Sequence, residues 1–343
     1  MKDEPTKSEW KALYDAVVKY KTVSCWDWMY DSDVFAIQNP EDGEIGYCSV
    51  LGLEGEVYGL LVFLGEEGFA SLMQIYAGEW LEEDDLDYLF LKKCISVTFE
   101  DREDLKRKDL EVIKSLGYRF RGRNAWPLFR RHDPGYCPWY LSAADVRFLT
   151  IALEQAVIVS SKFREGEISL INPGDAEYIL LRKPLRGKDR LRWRNDWLIP
   201  EPLLKEGIDR LMFDEIKAKR IQGSADRSGT WEIDTFFAPI PVKGSDDRPY
   251  YPVLLMCLDR ETAMIVGTRV FHPQMYDVDM LDSLLDIIDE LGIMPVEIMV
   301  RKEKLYNFFE PLTSRLGIKL THERDLLIDG AKRLFLDEFL PVE

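Results

Sequence analysis

Apolar residues recur every three or four positions in several stretches of the chain, which predicts amphipathic helices. In the first stretch, Trp10, Leu13, Val17 and Tyr20 form a single apolar stripe. We expect helices at residues 6–22, 66–78, 102–116, 142–163, 206–221, 278–291, 304–316 and 326–339. Ser142 is a good N-cap, and Gly292 is a typical helix stop.

Shorter apolar runs bounded by turn residues predict β-strands between these helices. In residues 1–165 they surround the helices and indicate one α+β domain. Residues 166–228 contain a basic hairpin and a helix, which we interpret as a connecting segment. Residues 229–343 have the order β-β-β-α-β-α-β-α, which predicts an α/β domain with a mixed sheet.

Composition and charge restrict the class of protein. Apolar residues make up 46% of the chain, which is sufficient for packed cores. The five cysteines are widely spaced and show no metal-binding pattern, as expected for free thiols in the cytoplasm. The chain shows no signal peptide and no apolar run long enough for a membrane span, so we expect a cytoplasmic protein without membrane contact.

The net charge of −17 is unevenly distributed. Counting Lys and Arg against Asp and Glu, residues 1–117 carry −14, residues 118–228 carry +6 and residues 229–343 carry −9. The basic middle segment either binds a polyanion or balances the acidic segments within the molecule.

The stretch "TWEIDTFF" places Asp234 in an apolar, β-branched strand, where an unpaired carboxylate is costly to bury. Together with the element order, this stretch resembles the ribonuclease-H-like core of transposases and integrases. The resemblance implies acids on the first strand, at the end of the fourth strand and on the last helix, which hold two Mg²⁺ or Mn²⁺ ions. Asp234 matches the first acid, Asp259 matches an acid after the second strand, and Asp329 is a candidate for the third.

At the end of the fourth strand, where the resemblance implies the second acid, this sequence departs from the family pattern, because "EIMVR" ends in Arg301. Arginine is a permanent cation and cannot bind a metal. We therefore expect Asp234 and Arg301 to form a structural pair, with no catalytic residue, metal or cofactor. The leading hypothesis is a non-catalytic binding or accessory module. The alternative is a metal-dependent nuclease or strand-transfer enzyme that uses Asp234, Asp259 and Asp329 with Mg²⁺ or Mn²⁺.

Nearly the whole chain also resembles an uncharacterised bacterial family with two domains of unknown function. The stretches "WDWMYDSDVFAIQNPEDGEIGYCSVLG" and "PGYCPWYLSAADVRFLTIALEQA" carry this resemblance. It implies no activity. Motifs of zinc hydrolases, α/β-hydrolases and P-loop enzymes are absent from the sequence.

Residues 118–140 alternate arginines with aromatic residues, a combination that binds phosphates or protein partners. The candidate binding residues are Arg119, Arg121, Arg123, Trp126, Arg130, Arg131 and Trp139. The plain alternative is that the aromatic residues fill the core while the arginines pair with acids. We favour a protein partner over nucleic acid. A nucleic-acid-binding module without chemistry, acting through residues 118–140 and 183–194, is the second alternative.

Overall fold

The computed structural model describes residues 4–78, 87–186, 191–200, 213–244 and 248–339. These residues form two compact units. The first unit contains residues 4–78, 91–133, 138–186 and 191–200. The second contains residues 213–244 and 248–339, together with two short segments from the first half of the sequence, 87–90 and 134–137.

The first unit is a mixed α+β structure. Its helices are α1 (Lys7–Val23), α2 (Gly65–Gly78), α4 (Arg107–Leu116) and α5 (Ala143–Arg164). Its strands are β1 (Phe35–Gln38), β2 (Ile45–Leu51), β3 (Gly59–Leu64), β4 (Cys94–Glu100), β5 (Trp126–His132), β6 (Ile171–Asn172), β7 (Asp175–Arg186) and β8 (Leu191–Leu198). The helix α3 (Asp87–Phe90) belongs to the second unit.

The strands of the first unit form one sheet in the order β5-β4-β3-β2-β1-β7-β6, with β8 also paired to β7. Neighbours are antiparallel except β1 and β7, which are parallel. The main core contains apolar residues of α1 and α5, and residues of α2 pack in a second cluster against Tyr47 and Phe63. Ser142 caps α5 through the backbone N–H of Asp145, as expected.

The second unit is built on a five-stranded sheet. Its helices beside α3 are α6 (Glu215–Ser224), α7 (Tyr276–Leu291), α8 (Glu303–Leu316) and α9 (Ile328–Phe339). The sheet strands are β10 (Thr230–Phe237), β13 (Val253–Asp259), β14 (Met264–Phe271), β16 (Glu297–Val300) and β17 (Lys319–His322). Four two-residue strands complete the unit: β9 (Asp226–Arg227), β11 (Val242–Lys243), β12 (Pro249–Tyr250) and β15 (Ile293–Met294).

The sheet order is β14-β13-β10-β16-β17. Strand β13 pairs antiparallel with both β10 and β14, whereas β10, β16 and β17 run parallel. One face packs against α9, through Phe236, Leu254, Met256 and Ile328. On the opposite face, Gly267 lies against Ile287 of α7, where a Cβ atom would come within 2.7 Å of that side chain. The central strand β10 is therefore covered on both faces.

The expected connecting segment 166–228 does not form a unit of its own. Its hairpin, β7 and β8, belongs to the first unit, and α6 belongs to the second. The small, polar stretch "QGSADRSG" at 222–229 is typical of a linker, but it contains the end of α6 and strand β9. Helix α6 ends at Ser224, beyond the expected end at residue 221. Its basic residues pair with acids of α7 and hold the helix in the second unit: Lys217 contacts Asp286, and Arg220 contacts Asp289.

All five cysteines are free thiols. Among the described residues, no helix is both long enough and apolar enough to span a membrane.

Candidate functional site

Asp234 is the acid that the sequence places in an apolar strand. It lies on β10, the central strand of the sheet in the second unit. Its register partner in β13 is Met256, which belongs to the cluster that faces α9. Directly paired residues of antiparallel strands share a face of the sheet. Because side chains alternate along a strand, Glu232 and Phe236 lie on the same face as Asp234. Two acids of β10 therefore point towards the last helix.

The Asp234 carboxylate is buried and neutralised by two lysines. Its Oδ2 accepts a hydrogen bond of 3.3 Å from Lys332 Nζ on α9, and its Oδ1 lies 3.4 Å from Lys302 Nζ. Oδ1 also accepts 2.8 Å from the backbone N–H of Thr235. Asp234 and Lys332 are each only 3% exposed. A buried carboxylate in a protein core is tolerated when it is paired in this way.

The environment of Asp234 has opposing effects on its pKa. Burial by itself raises the pKa, because it removes the carboxylate from water. The positive charges of Lys302 and Lys332 and the hydrogen bond from Thr235 outweigh that effect, so the pKa lies below its ordinary value. Asp234 is therefore a stable anion, in contrast to a general acid whose pKa is raised towards neutrality.

The ammonium group of Lys302 also contacts Thr235 and Asp87. It donates 2.6 Å to the carbonyl oxygen of Thr235 and 2.7 Å to Asp87 Oδ2. The other oxygen of Asp87 accepts 2.9 Å from the backbone N–H of Phe237, at the end of β10. The segment 87–90 therefore contributes a third acid to this charge cluster.

Glu232, the second acid of β10, is fully buried and is also neutralised within the unit. Its Oε1 accepts 2.6 Å from Arg260 Nη1, and its Oε2 accepts 2.8 Å from the backbone N–H of Ile328 near the start of α9. Both oxygens are therefore occupied by protein donors. This acid was not among the candidate residues that we identified from the sequence.

The expected pair between Asp234 and Arg301 is absent among the ion pairs of the described residues, and each residue has other partners. Arg301 Nη1 donates 3.2 Å to Asp329 Oδ2 on α9. Among the described residues, the ion-pair partners of Asp234 are Lys302 and Lys332. Strand β16 ends at Val300, and the chain turns into α8 after it, so the side chain that reaches Asp234 is one residue later than the strand register suggests.

Asp259 does not join the other two acids of the predicted metal site. Asp234 pairs with Met256 and Asp259 pairs with Trp231, so the two acids are offset by three residues, roughly 10 Å along the strand. Asp259 also follows Leu258, which faces α9, and therefore points to the opposite face. Its Oδ1 accepts hydrogen bonds of 2.8 Å from the backbone N–H and the hydroxyl of Thr262, which stabilise the turn before β14.

These contacts do not suit the two divalent ions that the resemblance implies. Such ions require several converging oxygen ligands with negative charge. Here, both oxygens of Asp234 face ammonium groups, and Asp329 faces a guanidinium group. Within the described ranges, no three His, Cys, Asp or Glu side chains lie close enough to hold a metal ion.

Lys332 was not among the candidate residues, although the sequence contains a signal for it. Ile328, Ala331, Phe335 and Leu336 form the apolar stripe of α9, and Lys332 lies within this stripe. A lysine in an apolar stripe must find a buried partner. Lys302 and Asp87 offered no such signal, because neither lies within a regular apolar pattern.

In the first unit, the candidate arginines fall into two groups. Arg130 is buried and donates to both oxygens of Asp109, at 2.9 and 2.8 Å. Arg131 contacts Asp133 at 3.0 Å and Asp145 at 2.6 Å. These two arginines are therefore neutralised by acids of the same unit, as in the plain alternative considered above.

Arg119, Arg121 and Arg123 form the second group and are all exposed. Tyr118 and Phe120 alternate with them and pack against the main core. Arg123 lies 3.8 Å from Asp101, with its side chain 94% exposed. Within the described part of the chain, no carboxylate lies within 4 Å of Arg119 or Arg121.

The two candidate tryptophans are half-buried. Trp126 packs against the main core and contacts the ring of Phe120 and the guanidinium of Arg102. Trp139 forms two backbone hydrogen bonds with Arg131 along the outer side of β5, at 2.8 and 2.9 Å. Among the seven candidate residues, Arg119, Arg121 and Arg123 are exposed, Arg130 is buried and the other three are partly buried.

Two family models match the chain. Residues 10–182 match the model described as "Domain of unknown function (DUF7309)", and residues 217–336 match "Domain of unknown function (DUF6930)". The first match covers 173 of the 343 residues. The chain matches none of the curated proteins with which it was compared.

Proposed function

We propose that this chain, which belongs to the DUF7309 family of domains of unknown function, is a non-catalytic binding protein of the cytoplasm. We further propose that its second unit is a ribonuclease-H-like domain without the metal site of the catalytic families. The observation that carries this proposal is the neutralisation of Asp234 by Lys302 and Lys332.

The strand order and the position of Asp234 support the ribonuclease-H-like assignment. Three antiparallel strands are followed by two parallel ones, and the first strand lies in the centre of the sheet. Asp234 is on that first strand, Arg301 and Lys302 follow the fourth, and Lys332 is on the last helix. Cations therefore follow the strand end where the resemblance places the second acid, and Asp329, the candidate for the third acid, contacts Arg301.

This arrangement supports a structural role for the charge cluster. A metal ion that approached Asp234 would have to displace two ammonium groups from a buried carboxylate, and each displaced cation would lose its own partner. The repulsion between a divalent ion and a lysine ammonium at 4 Å is roughly 2 to 8 kcal/mol for effective dielectric constants of 80 to 20. The same charges hold α9 and the segment 87–90 against β10.

Titration with Mg²⁺ and Mn²⁺, followed by calorimetry, tests this proposal. We expect no saturable binding in the millimolar range, and no metal-dependent cleavage of single- or double-stranded DNA or RNA. The matched control for any activity is Asp337→Asn, since Asp337 is an exposed acid of α9. A cleavage activity that Asp234→Asn abolishes and Asp337→Asn retains, with both variants folded, would contradict the proposal.

We propose that the binding surface of the first unit is the exposed group Arg119, Arg121 and Arg123, and that its partner is an acidic protein segment. Within the described ranges, the single carboxylate contact of these three guanidinium groups is that of Arg123 with Asp101, at 3.8 Å, which supports contact with an external anion. The net charge of −17 opposes the approach of a long polyanion and favours a short acidic segment.

Binding of a labelled polyglutamate peptide and of a single-stranded oligonucleotide, measured by fluorescence anisotropy at several salt concentrations, tests this surface. We expect peptide binding that weakens in the triple variant Arg119→Ala/Arg121→Ala/Arg123→Ala. The control is Lys7→Ala/Lys19→Ala, which removes exposed charges from α1. Tighter binding of the oligonucleotide, with a steep salt dependence, would favour the nucleic-acid alternative.

A further inference from the structure

Among the described residues, β14 is the outermost strand on one side of the sheet in the second unit. It is eight residues long, and no strand of the described residues pairs with its outer side. Its exposed residues are mainly apolar: Met264 is 65% exposed, Ile265 49% and Val270 68%. An edge of this kind offers unpaired backbone N–H and C=O groups beside apolar side chains, which favours pairing with another strand.

The other long edges of the two sheets are protected in recognised ways. The outer side of β5 is covered by Trp139 through two backbone hydrogen bonds. Strand β8 carries the exposed charges Arg192 and Arg194. Strand β17 has only four residues and begins with Lys319. Charges, short length and coverage all prevent edge-to-edge pairing. Strand β14 is twice as long as β17, its single charge, Arg269, is paired with Glu290 of its own chain, and no strand of the described residues pairs with its outer side.

We propose that β14 is a homodimer interface, in which it pairs antiparallel with β14 of a second copy of this chain. The two sheets then form one continuous sheet of ten strands around a two-fold axis. This inference is independent of the proposed function, because it concerns the sheet edge and not the charge cluster.

The side chains of β14 fit a second copy of the same strand. Ile265 pairs with Leu258, and Val270 pairs with Leu254, and both leucines face α9. Val266 has no register partner in β13, so the strand contains a bulge there, and Ile265 and Val270 lie on the same face. In a two-fold antiparallel pair, Ile265 of one copy therefore lies beside Val270 of the other, and the contact occurs twice.

The charges on this edge are compatible with the same arrangement. Arg269 is the only charged residue of β14, and it pairs with Glu290 of its own chain at 2.7 Å. Antiparallel pairing about the middle of the strand places Arg269 of one copy near the bulge at Val266 of the other. In this register the two copies of Arg269 are diagonal neighbours on one face of the sheet, and each is neutralised by Glu290 of its own chain.

Sedimentation velocity of the full chain over a range of micromolar concentrations tests the proposal. We expect a concentration-dependent monomer–dimer equilibrium. Val270→Lys should raise the dissociation constant about tenfold or more, because symmetry introduces the unfavourable contact twice. The matched control is Ile216→Lys on α6, which changes a more exposed apolar residue (84%) away from the edge and should leave the equilibrium unchanged.

A mixing experiment distinguishes the antiparallel register from non-specific association. Ile265→Glu and Val270→Lys should each be monomeric, whereas a mixture of the two variants should form a heterodimer. In that heterodimer the two introduced side chains, which have opposite charges, meet at one contact, while the native pair of Ile265 and Val270 forms at the other. A wild-type chain that is monomeric at all concentrations overturns the proposal. An equal effect of Ile216→Lys, or a mixture that remains monomeric, also overturns it.

Discussion

The acids of β10 in the second unit and the arginines of residues 118–131 in the first unit are both charges in aromatic, β-branched sequence. They differ in burial and in their partners. Asp234 and Glu232 are buried, and each of their carboxylate oxygens contacts a donor of the same unit. Of the arginines, Arg130 and Arg131 are paired, whereas Arg119 and Arg121 are exposed and lack a carboxylate partner among the described residues.

The comparison shows that an unusual charge in a strand is a weak sign of chemistry until its partners are known. Burial requires neutralisation, and two lysines, an arginine and backbone N–H groups provide it for the acids of β10. The exposed arginines keep their charge available for a partner. The buried region is therefore expected to contribute to stability and the exposed loop to binding.

The largest expected effect comes from Lys332→Met. This change leaves Asp234 with one lysine and removes a buried positive charge, so the free energy of unfolding should fall by about 3–5 kcal/mol. Urea denaturation measures the change. Asp337→Ala, on the exposed side of the same helix, should change it by less than about 0.5 kcal/mol. The double variant Asp234→Asn/Lys332→Met should recover part of the loss, because it removes both charges of the pair; no recovery would argue against direct coupling.

Arg130→Ala should have the next largest effect. It leaves Asp109 without its two charge-assisted hydrogen bonds in a mostly buried site, so we expect a loss of about 2–4 kcal/mol in the free energy of unfolding. The same urea titration checks this value. A loss below about 0.5 kcal/mol would place Arg130 with the exposed arginines and remove the distinction between the two groups.

The pH dependence of the free energy of unfolding tests whether Asp234 stabilises the fold as an anion. Its pKa is lower in the folded state than in the unfolded chain, so its contribution is present above about pH 4 and is lost as the pH falls through the folded-state value. Asp234→Asn removes this contribution at every pH. The free energy of unfolding should therefore depend less steeply on pH between about 5 and 3 in this variant than in the wild type. Asp337→Asn serves as the control, and an unchanged slope in Asp234→Asn would show that Asp234 does not supply this dependence.

The smallest effect is expected for Arg121→Ala. The side chain is exposed and has no carboxylate partner among the described residues, so the free energy of unfolding should change by no more than about 0.5 kcal/mol. Thermal and urea denaturation both check this expectation. A loss comparable to that of Arg130→Ala would mean that Arg121 has a structural role and would remove the basis for the proposed binding surface.

Local features of the fold could be predicted well because their causes are local. The stripe of α1, the Ser142 cap of α5, the stops at Gly117 and Gly292 and the hairpin of β7 and β8 depend on residues close in sequence. The division of residues 166–228 between two units could not be predicted, because α6 is held by acids of α7 about 70 residues away.

The candidate site was predicted in part. Asp234 was identified because a lone acid in an apolar strand needs a partner, but the partner was assigned to Arg301 from its position at the end of a neighbouring strand. Strand register limits which residues are near, whereas the turn into α8 decides which side chain reaches the carboxylate. In this protein that side chain is Lys302.

The sequence by itself determined where helices and strands form, that Asp234 requires neutralisation, and that Arg301 cannot bind a metal. These properties follow from side-chain periodicity, desolvation and permanent charge. Only the tertiary structure decided that Lys302, Lys332 and Asp87 meet at β10, and that β14 pairs with a single strand, β13, among the described residues. These contacts join residues up to 215 positions apart, and the packing of strands and helices, not the local sequence, brings them together.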